Sequence, residues 1–141
     1  MTDLASPVIA VERLRDAINS HDLEAMVACF TSEYESSFPA HPDRAFQGSE
    51  QVRTNWARIF DGVPDLTAAL LGASVQGDTV WAEWEWKGMR RDGVPFHQRG
   101  VTIQGTSGDQ LAWARLYMEP VEVGRGVDAS VREALAPADR S

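Results

Sequence analysis

Thr79-Val80-Trp81-Ala82-Glu83-Trp84-Glu85-Trp86-Lys87 alternates with period two and holds three tryptophans and two glutamates. A β-strand sends successive side chains to opposite faces. Val80, Ala82, Trp84 and Trp86 therefore share one face, and Trp81, Glu83, Glu85 and Lys87 share the other. One face is an aromatic wall and the other is charged. The wall is either core filling or the lining of a pocket, and that alternative is the functional question the chain poses.

Outward from this strand, everything after Leu66 reads as β. Predicted strands run from Leu66 to Val75, Thr79 to Arg90, Phe96 to Thr106 and Gln110 to Val121. Gly77-Asp78, Asp92-Gly93 and Ser107-Gly108-Asp109 join them as hairpin turns, which force antiparallel neighbours. Upstream the pattern is helical. Ser6-Pro7 reads as an N-cap followed by proline at the first helical position, and Val8, Val11, Leu14 and Ile18 recur at helical spacing. Asp22 caps a second helix with Leu23, Met26, Val27 and Phe30 as its buried stripe. A short strand is expected from Tyr34 to Phe38. Gly48-Ser49 opens a third helix with Val52, Trp56, Ile59 and Phe60 on one side, ended by Gly62 and Pro64. Ser130-x-x-Glu133 is a capping-box pattern for a short helix in the tail.

This order predicts an α+β domain over residues 1–122, with residues 123–141 as a tail. Three N-terminal helices pack on a strongly curved antiparallel sheet that forms a cone, whose mouth is a place for a small molecule.

Composition narrows the function classes. A net charge of −8 and a pI near 4.8 argue against nucleic acid and against an anionic membrane surface as partners. No apolar run is long enough to span a bilayer, and Met1-Thr2-Asp3-Leu4 lacks the basic and apolar regions of a secretion signal. Cys29 is alone, which points to a reducing cytoplasm. The three histidines show no metal-ligand spacing, and neither a phosphate-binding glycine loop nor a Gly-x-Ser-x-Gly elbow occurs. No metal and no cofactor are expected.

Four segments carry a family resemblance. Ala17-Ile18-Asn19-Ser20-His21-Asp22-Leu23-Glu24-Ala25-Met26-Val27-Ala28-Cys29-Phe30 resembles the first two helices of the SnoaL-like branch of the nuclear transport factor 2-like superfamily. Gly48 with Val52 and Trp56 is similar to its third helix. Arg99-Gly100-Val101-Thr102-Ile103 and Arg115-Leu116-Tyr117-Met118-Glu119-Pro120 resemble its last two strands. The resemblance implies a cystatin-like cone and says little about chemistry, because the superfamily hosts enzymes, binding domains and adaptors. The tyrosine and aspartate of its ketosteroid isomerases match Leu14 and Phe38 here. The aspartate–arginine–aspartate set of its epoxide hydrolases matches Trp84, Trp86 and Leu116. Neither mechanism survives those exchanges.

Those matches imply a concave lining of Trp84, Trp86, Phe96, Gln98, Leu116 and Met118, with Trp56 added from the third helix. The expected ligand is small and apolar. The resemblance turns Glu35 and Ser37 toward the cavity, where a desolvated Glu35 carboxyl would act as general acid or base of a cofactor-independent cyclase or isomerase. Strict alternation opposes this by turning Tyr34 and Phe38 inward. His41, in the loop that follows, is a candidate for the cone mouth. On the other sheet face, Glu83, Glu85, Arg99, Arg115 and Tyr117 form a self-complementary surface suited to a homodimer. A bulge turning Arg99 inward onto a carboxylate is the alternative for that residue. The competing reading of the whole chain is a non-catalytic interaction or stabilising subunit with a filled core.

Overall fold

The computed structural model describes residues 6–138. Among them, helices α1 (Val8–Ser20), α2 (Leu23–Ala28) and α3 (Ser49–Gly62) precede the long strands. The strands are β1 (Phe30–Ser37), β2 (Phe46–Gln47), β3 (Thr67–Gln76), β4 (Thr79–Met89), β5 (Pro95–Ser107) and β6 (Gln110–Pro120), followed by α4 (Val127–Leu135). The fold is α+β, with helices on one six-stranded sheet in the order β2-β1-β6-β5-β4-β3.

The sheet is mixed rather than antiparallel throughout. The hairpins β3 to β6 are antiparallel, as their short glycine turns require, but β1 lies parallel to β6, with Ser36 opposite Ala114. The long segment between these two strands imposes no antiparallel geometry, so turn signals said nothing about this pairing. β2, two residues long, is too short for a periodic signal. β1 begins at Phe30, four residues before its expected start, and Phe30 belongs to this strand rather than to α2.

α1 keeps its predicted stripe, with Val11, Leu14 and Ile18 buried. Pro7 already has helical dihedrals, φ −53° and ψ −22°, and the Ser6 hydroxyl accepts from the Val8 N–H at 3.4 Å, as the expected N-cap. Asp22 caps α2 as predicted by accepting from the Ala25 backbone N–H at 3.0 Å. Asn19 acts as a surrogate strand residue: its amide donates to the Ala68 carbonyl at 3.0 Å and accepts from the Ala68 N–H at 2.7 Å. That pair locks α1 onto β3. α4 starts at Val127 behind Gly126 rather than at a Ser130 cap.

The predicted split of β4 is observed. Val80, Ala82 and Trp84 have no exposed surface and Trp86 has 9 %, whereas Trp81 on the other face is 45 % exposed. Val11, Ile18, Met26, Val52 and Leu111 complete the core between helices and sheet.

Candidate functional site

The inner faces of β4, β5 and β6 stand in register. Gln98 lies opposite Trp86, Gly100 opposite Trp84, Thr102 opposite Ala82 and Gln104 opposite Val80. On the far side of β5, Pro120, Met118, Leu116 and Ala114 face the same four residues. Curvature of this sheet around α3 leaves a cavity of about 460 Å³. Trp56, Ile59 and Val52 of α3 close one side, and Phe30, Tyr34 and Phe46 close the end.

The tryptophans brace one another. Trp86 meets Trp56 edge-on at 5.6 Å between ring centres and Trp84 at 6.3 Å. These offsets suit the quadrupoles of aromatic rings. Gly100 permits the close approach of β6 to β5: a Cβ there would come within 2.8 Å of the Met118 Cα.

Polar groups gather at the end of the cavity away from Gln98. Ser36, Thr102 and Gln104 are buried, as is Tyr34. The Trp84 indole N–H donates to the Thr102 hydroxyl at 2.8 Å, and that hydroxyl donates to Gln104 Oε1 at 2.9 Å. Burial pushes the Tyr34 phenol up to about 12, and a hydrogen bond from Ser36 only partly opposes it. Tyr34 therefore stays neutral and keeps its proton. Among the described residues, Trp86 Nε1 is the one buried side-chain nitrogen or oxygen without a partner. Among the described residues, no carboxylate or imidazole lines this cavity, and no cluster of His, Cys, Asp or Glu suits a metal.

A profile of the SnoaL-like domain matches residues 11–116. The chain belongs to the SnoaL-like domain family. A comparison with curated proteins finds no match. Among solved structures, a candidate SnoaL-like polyketide cyclase from Jannaschia sp. CCS1 is 21 % identical, with a TM-score of 0.70 over 98 % of both chains. A cystatin-fold protein from Novosphingobium aromaticivorans is 22 % identical, with a TM-score of 0.66 over 78 % of this chain and 96 % of that one. A protein of ketosteroid isomerase-like fold from Catenulispora acidiphila, solved with trimethylamine, is 20 % identical, with a TM-score of 0.67 over 79 % and 85 %. At these identities the likeness establishes the fold.

In this SnoaL-like domain, Trp56, Trp84, Trp86, Phe96, Gln98, Leu116 and Met118 all line the cavity. Glu35, Ser37 and His41 do not, and the acid/base role read for Glu35 has no carboxylate inside the cavity to carry it. Beyond the register shift that lies between Phe30 and Glu35, β1 alternates: Tyr34 and Ser36 are buried and Glu35 is exposed, opposite Gln47 and Trp113. Glu35 lines an open groove of about 580 Å³ with Gln47, Trp113 and Arg115 instead. Ser37 donates to the Ala114 carbonyl at 3.3 Å. His41 sits 2.6 Å from the Glu119 carboxylate on the surface.

Arg99 stays on the outer face beside Glu83 and Glu85, at 3.8 and 4.0 Å, so no bulge turns it inward. Glu85 also holds His97 at 2.8 Å, and that bond draws its carboxyl below the usual range. Arg115 stacks over Trp113 at 4.8 Å.

The residues missed from the sequence are Tyr34, Ser36, Thr102 and Gln104. Their signal was present. Counting on by twos from Gln98 reaches Thr102 and Gln104 on the same face, and the Tyr34 alternation carries Ser36 with it.

Proposed function

We propose that this SnoaL-like domain binds a small, mainly apolar organic molecule between Trp56, Trp84 and Trp86. The cavity carries this reading. A volume of about 460 Å³ falls in the range of small-molecule sites, and an apolar wall with a few convergent polar groups is their usual make-up. Membership of a family that includes a candidate polyketide cyclase supports the same reading. Besides Arg44, Tyr34 is the only titratable group in the lining among the described residues. An acid/base step of the cyclase or isomerase kind therefore falls to Tyr34. A phenol kept protonated by burial is suited to donate a proton rather than to abstract one. Equilibrium dialysis against 2-ethylnaphthalene tests the binding. Saturable retention, lost when Leu116→Trp fills the cavity, is expected; no retention by the unaltered protein overturns the reading.

A second reading rests on the outer sheet face, where Trp81 and Tyr117 are 45 % and 41 % exposed. We propose that a second copy of the chain covers this face, with Glu83, Glu85, Arg99, Arg115 and Tyr117 in the contact. Both charge signs occur on it, as an isologous interface needs. Sedimentation velocity is expected to show a dimer that Trp81→Glu converts to monomer. A monomeric unaltered protein overturns this reading.

A further inference from the structure

We infer that the polar end of the cavity is a donor-rich site for the carbonyl oxygen of an otherwise apolar ligand, and that Thr102 sets its polarity. The inference rests on the binding reading above and names the ligand class that the site takes.

The argument begins with Trp84. An indole N–H donates and never accepts. The Thr102 hydroxyl, 2.8 Å away, must therefore accept. Its single proton goes to the Gln104 amide oxygen at 2.9 Å. Both members of this relay are almost wholly buried, Thr102 at 3 % exposure and Gln104 at 2 %. That bond orients the Gln104 amide, so Thr102, itself in the cavity lining, fixes which end of Gln104 faces the ligand. With its oxygen committed to Thr102, the Gln104 amide nitrogen is left with two protons. Among the described residues no side chain takes them up, and Gln104 lines the cavity.

Across the sheet the same row continues. Gln104 lies opposite Ala114, and Ala114 opposite Ser36. Two strand spacings put Gln104 and Ser36 about 10 Å apart at their Cα atoms. Only the Ala114 methyl stands between them, and all three residues line the cavity. The buried Ser36 hydroxyl carries one proton. The row therefore offers the two Gln104 N–H protons and the Ser36 O–H to the space above Ala114.

Trp86 Nε1, opposite Gln98 and so toward the other end of the lining, is a further buried donor without a partner. A buried donor left unpaired is costly, so such a site favours a ligand that brings an acceptor. A carbonyl oxygen, with two lone pairs and no proton, fits this arrangement. Gln98, whose amide is free to turn either way, lies six residues along β5, about 20 Å from Gln104, and does not set the polarity here.

The test uses 2-acetylnaphthalene and 2-ethylnaphthalene, which differ in the carbonyl. In the unaltered protein, the infrared carbonyl stretch of bound ketone is expected well below its value in hexane. A bound ketone with the hexane frequency overturns the inference and leaves the binding reading standing. Retention of neither probe overturns the binding reading itself, and the inference with it. In dialysis, Gln104→Leu is expected to lower the ketone-to-hydrocarbon affinity ratio by about tenfold; an unchanged ratio overturns the inference. Thr102→Val is expected to lower the ratio and move the stretch back toward hexane, with Thr102→Ser restoring both. A merely structural Thr102 would change stability and leave the frequency in place, which would remove it as the positioning residue.

Discussion

Glu35 and Ser36 are adjacent in the chain and stand on opposite sides of the sheet. Ser36 is buried in the cone beside Ala114, whereas Glu35 faces outward opposite Trp113. The peptide bond between them marks the boundary between the candidate site and the surface.

Glu35→Gln is accordingly expected to leave retention of 2-ethylnaphthalene unchanged and to alter stability by less than about 0.5 kcal/mol, as exposed substitutions usually do. Dialysis and urea denaturation measure the two effects. Loss of retention in this variant would return the carboxylate to the site.

The bond between Trp84 and Thr102 is wholly buried. Thr102→Val leaves the indole N–H unpaired and is expected to cost about 1–3 kcal/mol in urea denaturation. Thr102→Ser keeps the hydroxyl and is expected to lose less. Equal losses in the two variants would show that methyl packing, not the bond, supplies the stability.

Tyr34 links stability to high pH. Its phenol, at about 12 in the folded chain, sits above the ordinary value of 10.0. Between those values the unfolded chain releases the proton and the folded chain retains it, so raising pH favours unfolding. The contribution is fully present below about pH 10 and is lost by about pH 12, a fall of roughly 2–3 kcal/mol. Burial also raises the Cys29 thiol, which adds a slope of the same sign starting near the ordinary thiol range. Urea denaturation across that window is expected to show a shallower fall in Tyr34→Phe than in the unaltered protein. Identical slopes would refute the assignment to Tyr34.

Two glycines in the sheet separate packing from backbone freedom. A Cβ on Gly100 meets the Tyr117 carbonyl and the Met118 backbone, whereas one on Gly72 meets nothing within 4 Å. Gly100→Ala is expected to destabilise by more than about 2 kcal/mol through strand displacement, and Gly72→Ala by little or nothing. Thermal melts of the pair decide it, and equal midpoints would contradict the close strand approach.

Much of this architecture was legible because it repeats. Period two in β4 separated Trp84 and Trp86 from Trp81 and Glu83, and glycine turns ordered β3 to β6. Helical spacing located Val11, Leu14 and Ile18. What stayed hidden was non-local. The parallel contact of β1 with β6 has no turn signature, and the relay from Trp84 through Thr102 to Gln104 spans two strands. Glu35 shows the opposite failure. Local alternation placed it outside, while family resemblance drew it inward, and the local rule held because a side-chain period of two leaves no half-turned residue.

The pairing of β1 with β6 bears on how the chain emerges during synthesis. Cys29 accepts from the Leu111 backbone, and the Gln110 side chain donates to the Ala28 and Phe30 carbonyls. Some eighty residues separate these partners, and closing so long a loop is slow. The first strand therefore leaves the ribosome long before its neighbour exists. Until the last hairpin is translated, Phe30 and Tyr34 have each other and Phe46 to pack on, but the edge of β1 that will receive β6 has open hydrogen-bonding groups, a known template for aggregation.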